Sequence, residues 1–404
     1  MLYIIGINSF IAKHFYLQQK VAGQEIRCYT HSDLAQLQVT DQDTVINCCG
    51  VNVADTYDVF EAANHTFVKE LVTQFGSQRP FLMHLSTFMV NGFTDQPLET
   101  LAPRQQFFIR SKKAGEDYLR ANYPADHLCI VRPSNIYGYS CRPYYNNILV
   151  TLAHEKRTGQ YQITSLNRNC VRNFLSVEGL CSWMGRACTN QLTGTYAVLS
   201  NNTVNLQTLV QTLYPSPQTL HSSPQTLHSS QELPQFEFTD GDPSTPNTSL
   251  GVSYVCVEEN LETELAKLEQ QLGAYVRLAT EQPQQLVRLS QPRGDMVEIS
   301  ALCAQRLYMI TFTEGSTRGN HYHYEQIEHF YQHRGRVLFL LAHADHPDVI
   351  QLHLMYEGQL LVVNPYYIHT LINDFSNNEC EVFVTSTQPH VPNSAPDTKY
   401  INIV

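Results

Sequence analysis

The sequence has no excess of basic residues and no long apolar run. Its 26 Lys and Arg residues stand against 37 Asp and Glu residues, which gives a formal net charge of −11. Such a chain lacks the basic surface that a phosphate backbone requires, so we expect neither nucleic acid nor an anionic membrane as a partner. No apolar run reaches the roughly 18 residues that span a bilayer. Because the first residues also lack the basic region and cleavage site of a secretory signal, we expect a cytoplasmic protein.

The sequence also lacks paired cysteines. Its 11 cysteines show none of the regular spacings of a disulfide framework. Cys48 and Cys49 fall inside an apolar, strand-like run, which predicts reduced, buried thiols. A hydrophobic fraction of 43% with 16% charged residues is typical of a globular protein. At 404 residues the chain is long enough for two or three domains.

Short apolar runs alternate with stretches of helical spacing over residues 1–140. Continuous apolar strands separated by helices are typical of a parallel sheet that is covered on both faces. We therefore predict an α/β doubly wound, Rossmann-like domain over residues 1–255. The predicted strands are Leu2–Ile7, Ile26–Thr30, Thr44–Gly50, Pro80–Ser86 and Leu128–Arg132, and the predicted helices are Phe10–Gln19, Thr56–Phe75 and Gln105–Ala121.

The pattern changes after residue 215. A heptapeptide, Ser-Pro-Gln-Thr-Leu-His-Ser, occurs at Ser216–Ser222 and again at Ser223–Ser229, and its polar composition predicts a loop without function over 216–230. Glu258–Leu272 has the spacing of an amphipathic helix, which we expect to end at Gly273 and to connect the domains over 256–282. Short strands with Gly and Asn turns then predict an all-β domain over 283–404.

His321 and His323 carry the sharpest chemical signal. Residues two apart on a strand face the same way, so both imidazoles project into one space. Glu328 can return to that space from the next turn or strand, and His369 lies in a second apolar segment that can complete the set. Imidazoles with one carboxylate suit a divalent metal such as Zn, although Mn, Fe or Ni fit the same ligands.

Other side chains near this motif give alternatives. Glu325 is a second candidate for the carboxylate ligand, but its spacing from the histidines is less favourable than that of Glu328. We expect His329 and His333 to be exposed, or near the mouth of the site, and not to be ligands.

These positions resemble the cupin family. The first cupin motif is matched at each fixed position by Gly315, His321-x-His323, Glu328 and Gly335. The second motif is represented by Gly358, Pro365, His369 and Asn373, with a Pro-to-His spacing one residue short and Tyr367 where Gly is usual. The resemblance implies a cupin β-barrel for the last third of the chain, zinc as its metal, and a homodimer.

The first half resembles the extended short-chain dehydrogenase/reductases that act on nucleotide sugars. Four elements of that family occur in order: its strand-to-helix turn, its Ser/Thr element, its lysine-bearing helix and its Arg-Pro-x-Asn-x-Tyr-Gly motif. They are Gly6–Ala12, Ser86-Thr87 before Gly92, Arg110–Glu116 and Val131–Gly138. The resemblance implies that NADP(H) contacts Gly6, Ser9, Ala12 and Lys112, that Thr87 and Lys112 serve catalysis, and that Asn135 contacts the substrate.

The whole chain is similar to the bifunctional capsule and O-antigen enzymes of the CapF type. The similarity runs through Gly50-Val51-Asn52, Asn135–Asn146 and Gly319–His323. It implies a UDP-sugar substrate, a 4-keto-6-deoxy-N-acetylhexosamine whose carbon 3 is epimerised in the cupin. The Rossmann-like domain then reduces the ketone with NADPH, and Arg318 is a candidate for contact with the diphosphate.

The sequence departs from this family at two functional positions. Phe108 replaces the Tyr that donates a proton during reduction, and loss of such a general acid costs about 10²–10⁴-fold in rate. Tyr137, on another strand, is the alternative donor. Ser9 replaces the second turn glycine, which lets the backbone approach the pyrophosphate. Three hypotheses follow: an epimerase and reductase, an epimerase whose product another enzyme reduces, and a catalytically degenerate binding or scaffold protein.

Overall fold

The computed structural model describes residues 1–91, 98–145, 147–163, 165–167, 170–214, 237–239, 252–278, 282–286, 288–291, 294–297, 306–388 and 397–404. Gly92, Asn146 and the heptapeptide repeat lie outside these residues. The chain divides into two compact units, one of Met1–Gln18 with Tyr29–Gln270 and the other of Gln19–Cys28 with Gln271–Val404. In the part that is described, no helix combines the length and apolar character needed to cross a membrane.

Residues 1–257 contain a seven-stranded parallel sheet. Its strands are predominantly apolar, and the two central ones, Phe81–Leu85 and Leu128–Pro133, are buried along their whole length, as expected of a sheet covered on both faces. The predicted doubly wound α/β class is confirmed. The strands within residues 1–257 are β1 (Leu2–Ile5), β2 (Ile26–Tyr29), β3 (Thr44–Asn47), β4 (Phe81–Leu85), β5 (Leu128–Pro133), β6 (Asn135–Tyr137), β7 (Ser165–Asn167), β8 (Val171–Ser176), β9 (Gly194–Ser200), β10 (Thr203–Asn205), β11 (Glu237–Thr239) and β12 (Ser253–Val257).

The order of strands in the large sheet is β12-β9-β5-β4-β3-β1-β2. A smaller sheet has the order β10-β8-β6, and β11 pairs with β7. In a parallel sheet the carboxyl ends of all strands meet at one edge, so the turns after β1, β3 and β4 come together there.

Helices separate these strands, as the apolar spacing predicted. The predicted helix over Thr56–Phe75 is interrupted by a π-helical turn at Ala62–Thr66, and short 3₁₀ turns lie at His31–Gln36, Phe88–Asn91, Leu98–Thr100 and Ala125–His127. The α-helices are α1 (Phe10–Val21), α2 (Tyr57–Glu61), α3 (Phe67–Gln74), α4 (Pro103–Asn122), α5 (Ile148–Thr158), α6 (Val177–Thr189), α7 (Leu206–Leu213) and α8 (Leu261–Leu278).

Helix α8 differs from its prediction at both ends. It begins after Asn260, whose side-chain oxygen accepts a hydrogen bond from the backbone N–H of Thr263 at 2.9 Å. The prediction that Gly273 ends the helix is wrong, because the helix continues to Leu278. Leu272 and Ala274, on either side of the glycine, are buried. Their burial outweighs the cost of about 0.5–1 kcal/mol that a glycine adds inside a helix.

The second unit contains two five-stranded antiparallel sheets, which we call the β domain. Phe330 of one sheet packs on Phe339 of the other, with ring centroids 5.0 Å apart, so apolar side chains fill the space between the sheets. The predicted all-β class of this part is confirmed. Its strands are β13 (Gln284–Gln285), β14 (Arg288–Gln291), β15 (Gly294–Val297), β16 (Arg306–Phe312), β17 (Thr317–His323), β18 (Glu328–Arg334), β19 (Arg336–His343), β20 (His346–Tyr356), β21 (Gln359–Val363), β22 (Tyr367–Ile372), β23 (Cys380–Ser386) and β24 (Thr398–Tyr400). The two strand orders are β13-β21-β18-β23-β16 and β20-β19-β22-β17-β24.

Candidate functional sites

Three histidines and a glutamate meet between the two sheets of the β domain. One ligand atom from each of His321, His323, Glu328 and His369 lies within 4.8 Å of the corresponding atom of every other member. We call these four residues the His–Glu cluster. All are buried except His321, which is half-buried. Imidazole nitrogens and a carboxylate oxygen this close together have the composition and size of a site for one divalent metal ion.

A β-bulge turns His321 toward the cluster. Strand β17 pairs Arg318 with Leu371 and His321 with His369, so the bulge adds one residue between these two pairs. Leu371 and His369 face the same side of β22. Arg318 and His321, which pair with them, therefore also share one face of β17, although they are three residues apart. Without the bulge, the period of two would point His321 to the other face. Arg318, which shares its face, is exposed.

Gly319 and Asn320 form this bulge. Gly319 has a φ of +107°, and a Cβ atom there would lie 2.4 Å from the carbonyl oxygen of His369. Asn320 also has a positive φ, of 58°. Its side-chain oxygen accepts a hydrogen bond from the hydroxyl of Thr370 at 2.9 Å. Only glycine fits the first of these positions, so the close approach of β17 to β22 depends on it.

His323 and His369 each direct Nε2 toward Glu328, and the Nδ1 atom of each contacts an oxygen atom outside the cluster. Nδ1 of His369 lies 3.4 Å from the carbonyl oxygen of Tyr367, while its Nε2 lies 3.2 Å from Oε2 of Glu328. Nδ1 of His323 lies 3.0 Å from the hydroxyl of Thr398, and its Nε2 lies 3.4 Å from the same carboxylate oxygen. Outer contacts of this kind fix the ring orientation and the tautomer of metal-binding histidines.

Glu328 is held from its other side by Tyr308. The Tyr308 hydroxyl donates a hydrogen bond to Oε1 of Glu328 at 3.1 Å. Burial of the carboxyl alone raises its pKa, but the imidazoles of His323 and His369 beside it outweigh burial and keep the pKa of Glu328 well below its usual value. Burial, followed by electrostatic interaction with the His369 ring, lowers the pKa of His321 to about 4. A neutral imidazole beside an ionised carboxylate is the state in which both bind a metal.

The other candidates near this motif lie outside the cluster. Glu325 is exposed, and His333 is about half exposed. His329, which was expected to be exposed or near the mouth of the site and not a ligand, is buried and lies outside the cluster. It follows Glu328 directly in β18, so its side chain faces the other side of the sheet from the cluster.

Sequence reasoning missed Asp397, which approaches His323 from the segment that contains β24. Oδ2 of Asp397 lies 3.6 Å from Nδ1 of His323. Its Oδ1 accepts hydrogen bonds from the backbone N–H groups of Tyr324 and Glu325. A single Asp far from the histidines in the sequence forms no local pattern, so no sequence signal could have identified it.

The strand-to-helix turn at Gly6–Ala12 joins β1 to α1. Gly6 has a φ of +88°, and a Cβ there would lie 2.9 Å from the backbone nitrogen of Cys49, so this position requires glycine. The hydroxyl of Ser9 accepts a hydrogen bond from the backbone N–H of Ala12 at 3.3 Å. Ser9 therefore caps the helix with its own side chain and occupies an N–H group that could otherwise face an anion.

Lys112 lies near the carboxyl end of β4. It is buried, and its Nζ donates a hydrogen bond to the carbonyl oxygen of Leu85 at 3.0 Å. Burial lowers the pKa of Lys112 to about 8. Thr87 follows Leu85 by two residues and is half-buried, so both predicted catalytic residues lie at this end of the strand. Phe108, one turn before Lys112 in α4, packs near Phe60 with ring centroids 6.2 Å apart.

Asn135 begins β6, outside the large parallel sheet. Its side chain is exposed and donates a hydrogen bond to the carbonyl oxygen of Asn173 at 3.0 Å. Tyr137 on the same short strand is buried, and its hydroxyl has no hydrogen-bond partner among the described residues. Burial raises the pKa of Tyr137 far above its usual value, so this hydroxyl stays protonated.

A buried ion pair ties α4 to β5. Glu116 is fully buried and accepts hydrogen bonds from Arg132, whose Nε lies 2.9 Å from Oε1. Arg120 and the hydroxyl of Ser86 also donate to the Glu116 carboxylate. Burial raises the pKa of Glu116, but the hydrogen bonds and charge of Arg132 outweigh burial and lower it. The ion pair thus fixes α4, the helix that carries Lys112, to the sheet.

Solved structures similar to the chain include CapF, as the motifs predicted. Capsular polysaccharide assembling protein CapF from Staphylococcus aureus is 17% identical, with 99% of each chain covered and a TM-score of 0.41. MoeE5 in complex with UDP-glucose and NAD is 13% identical over 69% of this chain and 99% of its own, with a TM-score of 0.52. RMD from Pseudomonas aeruginosa complexed with NADPH is 15% identical over 67% and 96%, with a TM-score of 0.47.

No curated protein matches the chain at a significant level. The likeness to MoeE5 shows a shared fold over about two thirds of the chain. Residues 290–399, which include the His–Glu cluster, match the family described as the polysaccharide biosynthesis C-terminal domain.

Proposed function

We propose that the chain is a nucleotide-sugar-modifying enzyme of polysaccharide synthesis. Its β domain, the predicted cupin, would epimerise carbon 3 of a UDP-linked 4-keto-6-deoxy-N-acetylhexosamine with the help of one divalent metal ion. The observation that carries this proposal is the His–Glu cluster, whose four ligand atoms lie within 4.8 Å of one another. The match of residues 290–399 to a polysaccharide biosynthesis family supports the substrate class.

The cluster fits a metal ion better than it fits a set of hydrogen bonds. Oε2 of Glu328 is buried and has no hydrogen-bond partner among the described residues, although Nε2 of His323 and Nε2 of His369 lie 3.4 and 3.2 Å from it. Buried polar atoms are seldom left unpaired, and a bound cation accounts for this one. Three imidazoles and one carboxylate favour zinc, and Mn, Fe or Ni fit the same ligands.

The chain's own residues support chemistry at a ketone here. A metal ion bound by the cluster would act as a Lewis acid and stabilise negative charge on the sugar oxygen. A His or Tyr side chain of the β domain would accept the proton from carbon 3, and a proton would return to the opposite face of that carbon. Tyr308 holds the carboxylate of Glu328 in place. Burial raises the pKa of Tyr308, so this side chain remains a hydrogen-bond donor. The exposed Arg318, on the same face of β17 as His321, would attract the diphosphate.

Deuterium exchange at carbon 3 tests this proposal. The purified chain is incubated in deuterated water with the 4-keto UDP-sugar and zinc, and NMR follows the signal of carbon 3. We expect deuterium uptake that a chelator and His323→Ala each abolish, and that the exposed control Glu325→Ala leaves unchanged. If the metal-loaded wild-type chain exchanges no deuterium, the epimerase proposal is wrong.

For the first unit we propose nucleotide-sugar binding with slow or no reduction. MoeE5, which shares its fold, is described in complex with UDP-glucose and NAD. In this chain Phe108 has no proton to donate, the amine of Lys112 is bonded to the carbonyl of Leu85, and Ser9 caps its own helix. These features favour an epimerase whose product another enzyme reduces. NADPH oxidation that keeps pace with deuterium exchange would contradict this assignment.

A binding or scaffold protein without catalysis is the second candidate. The same features of the first unit favour it, and it predicts metal binding in the β domain without deuterium uptake. For either candidate function we expect the chain to form a homodimer. Light scattering of the purified chain measures its oligomeric state directly.

A further inference from the structure

Residues 397–404, which we call the covering segment, run along the edge of β17. Strand β24 pairs His321 with Tyr400, Tyr322 with Lys399 and His323 with Thr398. The segment therefore lies beside both histidines that β17 contributes to the cluster. Backbone pairing alone is enough to cover an open sheet edge. Side-chain contacts between this segment and the cluster therefore indicate a role beyond covering the edge.

The side chains of the covering segment also engage His323. The hydroxyl of Thr398 lies 3.0 Å from its Nδ1. Oδ2 of Asp397 lies 3.6 Å from the same nitrogen and is buried, with no hydrogen-bond partner in the described part of the chain. Oδ1 of Asp397 is already bonded to the backbone of the turn after β17, at Tyr324 and Glu325. The carboxylate is therefore fixed with Oδ2 toward the imidazole.

The same segment supports the bulge that orients His321. The backbone N–H of Ile401 donates to the carbonyl oxygen of Asn320 at 2.8 Å. The N–H of Ile403 donates to the Asn320 side-chain oxygen at 3.3 Å. The ring of Tyr400 lies 5.5 Å from that of His321, centroid to centroid. The covering segment thus contacts His323 directly, and it contacts both the ring of His321 and the bulge that orients it.

We propose that Asp397 and Thr398 are positioning residues for the metal site, and that docking of the covering segment and metal binding stabilise each other. This inference rests on the proposed metal site. A proton on Nδ1 of His323 that is held by Thr398 and Asp397 leaves Nε2 free to bind the ion, and carboxylate partners of this kind raise the basicity of the ligand. Coupling between two binding events is reciprocal, so each must strengthen the other by the same factor.

Metal affinity tests the positioning role. Zinc dissociation constants are measured by competition with a chromophoric chelator for the full chain and for the double variant Asp397→Asn with Thr398→Val. Both substitutions keep the side-chain shape, and we expect them to weaken zinc binding by about 10–100-fold. The control Lys399→Ala, on the opposite face of β24, is expected to bind as the wild type does. Cobalt absorption reports whether the ligand geometry has changed as well.

Hydrogen exchange on the unmodified chain tests the coupling without any variant. Zinc is expected to slow exchange of the amides of Tyr324, Glu325 and Ile401, whose bonds hold the covering segment. If zinc binds tightly to the wild type but the double variant binds equally well and these amides are unaffected, the inference is wrong while the metal site stands. If the wild type binds neither zinc nor Mn, Fe or Ni, both the inference and the metal site are wrong.

Discussion

Nε2 of His369 lies 3.2 Å from Oε2 of Glu328, although the two residues belong to different sheets of the β domain. His369 is on β22 and Glu328 is on β18. A contact this short between buried side chains of facing sheets exists only when the sheets pack correctly. The His–Glu cluster therefore depends on the tertiary structure of the whole β domain, and a metal ion bound there would in turn stabilise it.

Zinc should stabilise the β domain against heat. A ligand present at about 100 times its dissociation constant adds about 2.7 kcal/mol to the free energy of unfolding. We expect zinc to raise the unfolding temperature of the wild type and to leave that of His369→Ala unchanged. His333→Ala, at an exposed position outside the cluster, should respond as the wild type does. Calorimetry with and without zinc measures each shift, and an equal response of all three chains would refute the assignment of His369.

Gly319→Ala should destabilise the β domain strongly. The new methyl group would lie 2.4 Å from the carbonyl oxygen of His369 at a φ of +107°, and strained positions cost of order 1–3 kcal/mol before any clash is relieved. Gly315→Ala is the matched control, since its φ is also positive, at +76°, but a Cβ there would lie 4.0 Å from its nearest neighbour. Denaturant unfolding should show a larger loss for Gly319→Ala, and equal losses would mean that only backbone strain matters.

Phe108→Tyr should restore proton donation in the first unit. A missing general acid accounts for about 10²–10⁴-fold in rate, so the variant is expected to oxidise NADPH at least about 10-fold faster with the 4-keto sugar. Phe107→Tyr adds the same hydroxyl at the neighbouring position and should have no effect. Stopped-flow absorbance follows the reaction. No gain in Phe108→Tyr would show that Ser9 or the bonded Lys112 limits reduction as well.

Glu116→Gln should cost the first unit about 3–5 kcal/mol, because it leaves the guanidinium of Arg132 buried without its counter-charge. Both side chains of this pair are almost completely buried, with exposed fractions of 0% and 6%. Asp117→Asn removes the adjacent carboxylate, which is half exposed, and should change the free energy of unfolding by less than about 1 kcal/mol. Urea unfolding of both variants gives the comparison, and a small effect of Glu116→Gln would contradict a structural role.

Acid should weaken the first unit through His84. Burial, followed by the charge of Lys112, lowers the pKa of His84 from 6.5 to about 3. Below pH 6.5 the unfolded chain binds a proton that the folded chain does not, so the stability that His84 contributes is complete above that pH and falls as the pH approaches 3. His84 alone should remove about 2 kcal/mol between about pH 7 and about pH 5.

The variant His84→Asn should flatten this pH dependence, and the exposed control His31→Asn should not. Urea unfolding at the two pH values measures the slope for each chain. A slope that His84→Asn leaves unchanged would mean that another buried group, such as His14, dominates the acid response.

Local periodicity predicted most of the fold. The strand at Phe81–Leu85 and the helix at Pro103–Asn122 lie within a few residues of their predicted positions, because runs of apolar residues specify burial whatever their partners are. The end of α8 was predicted wrongly because Gly273, taken locally, indicates the end of a helix. Burial of the side chains on either side of it outweighs this preference, and the helix continues to Leu278. The predicted domain boundaries remain predictions.

The sequence by itself determined the chemical content of the candidate site. The spacing of His321 and His323 on a strand, together with the resemblance of Glu328 and His369 to positions of the cupin motifs, named the four residues that the structure brings together. Such spacing works because neighbours on a strand alternate with a period of two.

Only the tertiary structure decided how those residues are oriented and what supports them. The bulge at Gly319 and Asn320 breaks the period of two, and the contact of Asp397 with His323 joins segments far apart in the chain. The bond from Lys112 to Leu85 likewise depends on how a helix packs on the sheet. Pairing between strands and packing between layers set these contacts, and neither is encoded in any short stretch of residues.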